Sequence, residues 1–141
     1  MSEIDIKKLR KAPYMTKRLF IIKRICESRD IGLEYLFGLF NLYNVKNRGR
    51  WFWQKATFSG ALKEAFDKFN SDIDEVIKDL KSEDEEYTLK KVKIVGNTLD
   101  NLLSKLEVSL DVERERDKSY VEGYLDDNLR ALIRDGLKGM E

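Results

Sequence analysis

Histidine is absent from all 141 residues, and cysteine and proline occur once each, as Cys26 and Pro13. Without imidazole, Ser-His and Cys-His nucleophile pairs and His-ligated metals are excluded together. A lone cysteine forms no internal disulfide, and such a chain is expected in a reducing compartment, intracellular and cytoplasmic. Long apolar runs are also missing. The longest, around residues 19–22 and 33–43, fall well short of the roughly 20 residues a bilayer demands, so no membrane partner is expected. Residues 1–12 are charged and carry no apolar h-region, which argues against a signal peptide.

What remains is a chain that is 42% hydrophobic and 38% charged, a balance that suits one soluble domain with a single core. The net charge of +1 hides a strong asymmetry. Residues 1–56 hold thirteen Lys and Arg against five acids, a net of +8, and residues 57–141 hold fourteen against twenty-one, a net of −7. Nine of the fifteen aromatic residues also precede residue 57. A basic, aromatic-rich part joined to an acidic one points to an electrostatic partner for one end. The alternative is that the two parts face each other and cancel within one fold.

Hydrophobic spacing predicts helices throughout. Pro13 separates a short basic lead-in, residues 4–12, from the first strong helix over residues 14–28. There Met15, Leu19, Ile22 and Cys26 form one apolar stripe, Tyr14, Ile21 and Ile25 adjoin it, and Lys17 and Arg24 share the opposite side. A turn over residues 28–32 leads to a helix from Leu33 to about Asn44 that is apolar except along a stripe of Glu34, Gly38 and Asn41. Such a helix belongs in the centre of a core or in an oligomer interface.

From Phe58 to Leu80 the apolar residues keep one register, as in a single long helix. Asp72, Asp74 and Glu75, beside the Asn70-Ser71 pair, have the look of helix-start capping residues. The acidic run 83–86 suits the start of the next helix, where the dipole favours anions. Leu89, Val92, Val95, Leu99, Leu102, Leu106 and Leu110 then fit a second long helix. Residues 91–95 and 106–112 also alternate as strands would, about Gly96-Asn97, but the helical fit is longer. A break at residues 117–119, a capping box of Ser119 and Glu122, and a C′ glycine at Gly136 bound the last helix.

The expected fold is therefore all-α: one domain over residues 1–141, a bundle of about five helices, two of them long. The alternative adds a small β-hairpin at 43–53, as in a winged helix with residues 16–27 and 33–44 as its helix-turn-helix. Against it, a recognition helix must present polar side chains to base edges, and residues 33–43 offer only Glu34 and Asn41.

No catalytic constellation is expected. Cys26 lies on the apolar stripe with no base to take its proton. Asp111, Glu113, Glu115 and Asp117 would scatter around a helix, and only a strand would line them up for two-metal chemistry. Gly136-Leu137-Lys138-Gly139 lacks the strand-loop-helix setting of a phosphate loop. The chain reads as non-enzymatic, with no cofactor and no metal.

The best candidate for function is the stretch 46–55. Lys46, Arg48, Arg50 and Lys55 can replace phosphate counterions, and Trp51 and Trp53 can stack on bases unless they anchor the core instead. Lys17, Lys23 and Arg24 extend the surface. The expectation is a nucleic-acid-binding helical protein, for DNA or RNA, acting within an oligomer or larger nucleoprotein assembly. The competing class is a protein-interaction module, an adaptor or inhibitor, whose acids at 83–86 and 111–117 mimic phosphates against a partner. A basic and an acidic end can also meet head to tail in self-assembly.

Overall fold

A computed structural model describes residues 6–46, 60–80, 85–138 and 140. Among them are seven helices and no strand: α1 (Ile6–Lys11), α2 (Tyr14–Ser28), α3 (Leu33–Lys46), α4 (Gly60–Asp79), α5 (Glu85–Leu110), α6 (Arg114–Glu122) and α7 (Asp127–Leu137). The all-α class is as the spacing predicts, with two more helices than expected. One is the basic lead-in, which forms a single short helix because Leu9, wholly buried, docks it on the core. The other arises where one terminal helix was expected and two form.

Residues 91–95 and 106–112 settle as helix up to Leu110, so the longer heptad pattern prevails over strand-like alternation. The alternative of a hairpin at 43–53 does not hold over 43–46, which form the last turn of α3; residues 47–53 lie outside the described residues. Asp72, Asp74 and Glu75 do not start a helix. They lie in the second half of α4, which runs unbroken through Asn70-Ser71.

The expected break at 117–119 is also corrected. Asp117 accepts a hydrogen bond from the Glu113 N–H at 2.7 Å, so it begins α6 and Ser119 lies inside that helix. The N-cap of α7 is Asp126, whose carboxylate accepts the Leu129 N–H at 2.8 Å. Gly136 is not a C′ residue. It sits within α7, where a Cβ would fall 2.3 Å from Leu19 Cδ1, so the bare α-carbon lets α7 close on α2.

Two helices end the same way. After α2, Ile31 N–H bonds Cys26 C=O and Asp30 N–H bonds Glu27 C=O, with Asp30 at φ 54°. After α5, Val112 N–H bonds Glu107 C=O and Asp111 N–H bonds Val108 C=O, with Asp111 at φ 54°. Both are Schellman motifs that place an aspartate in the left-handed position usually held by glycine.

α4 and α5 pair antiparallel, since Lys91 bonds Asp79 while Thr98 Oγ1 donates to Asp72 at 2.7 Å. α5 also packs on α2 and α3 and so forms the spine of one continuous core, which includes Ile25, Leu36, Leu39, Ile73, Leu99 and Leu102. α3 is buried as its composition requires, and even its polar stripe is used. Glu34 pairs with Arg130 at 2.9 Å, the Asn41 amide donates to the Tyr124 carbonyl, and Gly38 lies against the Val121 carbonyl of α6. Beside this contact, Glu107 of α5 accepts the Tyr35 hydroxyl at 2.6 Å and a bidentate Arg114 guanidinium at 2.9 Å. Burial, then this carboxylate, push the Tyr35 phenol well above its usual pKa.

Candidate nucleic-acid interface

Cations gather at the amino-terminal side of the bundle. Residues 6–28 carry eight Lys and Arg and one acid, Glu27. Leu9 points into the core, while Lys7, Lys8 and Lys11 are exposed. On α2, Lys17 and Lys23 are half-buried, their stems lying along the protein.

Arg24 departs from expectation. It is only 5% exposed, with Nη1 3.9 Å from Glu27, and so does not belong to an open basic surface. The reason is the position of α2, which is packed by α1, α3, α4, α5 and α7, leaving little of its circumference to solvent. Two other arginines are turned toward the acidic part of the chain. Arg18 bonds Asn70 and lies 3.9 Å from Asp74, and Arg29 lies 3.5 Å from Asp100. Cancellation between the two parts is therefore real at Arg18 and Arg29, which face α4 and α5.

Lys46 ends α3, exposed, its ammonium donating to the Leu110 carbonyl at 3.3 Å. Arg48, Arg50, Lys55 and both tryptophans lie outside the described residues. Near Lys46 the fold brings up a pair that the sequence reading passed over. Tyr120 and Tyr124 pack edge to face, centroids 5.3 Å apart, their hydroxyls 3.1 Å apart. The Tyr120 hydroxyl raises the pKa of Tyr124, and the Lys46 charge, acting from nearby, lowers it by less. Tyr120 is 49% exposed. The i, i+4 spacing was the only signal in the sequence, and it reads equally as an ordinary helical pair.

Cys26 is buried, and burial pushes its thiol up to about 12, which removes it as a nucleophile at neutral pH. Among the described residues, no group of three or more Cys, Asp and Glu could hold a metal ion. Nor is any helix among them long and apolar enough to cross a membrane. No protein-family model, curated protein or solved structure matches the chain.

Proposed function

We propose that this protein binds nucleic acid through a basic surface made by α1, the outer edge of α2 and the end of α3. The observation that carries the reading is the docking of α1. With Leu9 wholly buried, Lys7, Lys8 and Lys11 become a fixed array instead of a trailing tail. A fixed array neutralises phosphates without first ordering the chain that bears the charges. Lys17, Lys23 and Lys46 extend it, and Arg48, Arg50 and Lys55 add their charge from the adjoining segment. Tyr120 and Tyr124 offer ring surface beside Lys46, as binding of single strands requires. Arg24 has no part in it.

The test is the salt dependence of affinity for a labelled single-stranded oligonucleotide. The intact protein should bind with a steep decline against salt. Lys7→Ala, Lys11→Ala and Lys17→Ala together should flatten the log–log slope by about 2–3, and Arg48→Ala with Arg50→Ala by about 1–2. Unchanged slopes in both sets would sink the assignment.

A second reading, a protein-interaction or self-assembling module, is favoured by one observation. Ile94 and Val108 project from the outer side of α5, 66% and 79% exposed, and Leu132 of α7 is 66% exposed. On this reading the protein sediments as an oligomer, and Ile94→Lys with Val108→Lys returns it to a monomer.

A further inference from the structure

A cleft of about 280 Å³ opens between α2, α3 and α4. Phe37 and Phe40 of α3 and Phe66 and Phe69 of α4 supply aromatic walls, closed on the α2 side by Leu19 and Ile22. The rings meet edge to face, Phe40 with Phe37 at 6.0 Å and Phe40 with Phe66 at 5.7 Å between centroids. An apolar cavity of about 150 Å³ is enough to hold benzene, so this cleft has room for a larger apolar group.

Its polar side chains are those of Arg18, Asn44 and Asn70. The Arg18 side chain is 23% exposed. One of its amino groups bonds the Asn70 side-chain oxygen, and Asp74 stands 3.9 Å from the other, too far for a hydrogen bond. A guanidinium has five N–H donors, so several remain for an acceptor arriving at the cleft. Asp74 already receives the Tyr14 hydroxyl at 2.6 Å. Its negative charge nearby admits a single anionic group more readily than a doubly charged one. Apolar walls with one cation among them suit an amphiphile of matching build.

We propose that this cleft binds a small amphiphile with a carboxylate head, the head on Arg18 and the apolar tail among the phenylalanine rings. The site is separate from the basic surface and does not rest on the nucleic-acid reading.

The test titrates the full chain with decanoate, decan-1-ol, decyl phosphate and decyltrimethylammonium, followed by amide chemical shifts and calorimetry. Decanoate should bind one-to-one, with shifts confined to α2, α3 and α4. The alcohol should bind about tenfold to a hundredfold more weakly, for want of the charged hydrogen bonds. Decyl phosphate as a dianion should fall below decanoate, and the cationic amphiphile should not bind. Arg18→Gln should bring decanoate down to the level of the alcohol and leave the alcohol unchanged. Met15, 61% exposed and part of the cleft lining, allows an obstruction that spares the core: Met15→Trp should weaken decanoate and alcohol alike. The proposal is overturned by any of three results: no saturable decanoate binding, no preference for decanoate over the alcohol, or shifts centred on other helices. A fourth, capture of apolar peptides in place of every decyl compound, would make the cleft a protein-docking site instead.

Discussion

Arg29 lies across the one glycine of α5: a Cβ on Gly96 would fall 2.2 Å from Arg29 Nε and 2.9 Å from Cζ. The passage this opens lets the guanidinium reach the Lys93 carbonyl at 3.1 Å and the Asn97 side chain at 2.6 Å, with Asp100 beyond. Nε itself is buried and makes no hydrogen bond. The turn after α2 is thereby pinned to the spine of the bundle.

Two opposing effects of Gly96→Ala can be separated on that geometry. Alanine favours the helix by about 1 kcal/mol over glycine, whereas displacing Arg29 loses hydrogen bonds of a charged group worth ~1.5–3 kcal/mol each. The substitution should destabilise the protein in urea denaturation. In an Arg29→Ala background it should stabilise instead, by up to ~1 kcal/mol. An equal change in both backgrounds would show that the two residues are not coupled.

Gly38→Ala should also destabilise the protein. Its Cβ would come 2.4 Å from the Val121 carbonyl oxygen, a backbone atom with no rotamer by which to move aside. α6 would have to shift off α3, at a cost of about 1–3 kcal/mol or more. Denaturation midpoints, with near-ultraviolet dichroism of the Tyr120–Tyr124 pair, would register both the loss and its place.

The left-handed aspartates invite the reverse experiment. An L-residue in that conformation costs roughly 1–2 kcal/mol, offset by glycine's extra freedom in the unfolded chain. A negative charge at a helix C-terminus is unfavourable as well. Asp30→Gly and Asp111→Gly should each raise stability by about 0.5–1 kcal/mol, nearly additively, as measured by thermal or urea unfolding.

Cys26 makes stability depend on alkaline pH. Its thiol pKa rises from 9.0 to about 12 on folding, so between these values the native state keeps a proton that the unfolded chain gives up. The contribution is complete below pH 9 and is lost as pH climbs toward 12. Cys26→Ala should remove this part of the alkaline decline. In the wild type, a disulfide reagent at pH 8 should modify Cys26 only at the rate of opening, and immediately in denaturant.

Periodicity made most of the helices legible. α2, α3, α4 and α5 start and stop close to where their apolar stripes begin and end, and Pro13 marks the break before α2. The carboxy-terminal helices were not legible in the same way. Asp117 and Ser119 both have the chemistry of a cap, and only the reach of Asp117 back to Glu113 N–H decides which end of a helix it serves. Gly136 looks like a terminator until Leu19, far away in sequence, is found against it. For the candidate surface, residue type identified the cations but not their exposure. Arg24 and Lys17 share a helix face, yet the surrounding helices enclose Arg24. Leu9, the only apolar residue in the middle of the α1 segment, was the clue that the basic lead-in is anchored.

The central place of α5 also governs how the protein is made. Arg29 and the carbonyl it grips are 64 residues apart, and ribosomes add about 5–20 residues per second. For roughly 3–13 s in each round of synthesis, the apolar sides of α2 and α3 have left the ribosome ahead of the helix that covers them. Through that interval, the dense positive charge of the same segment sets neighbouring nascent chains repelling one another.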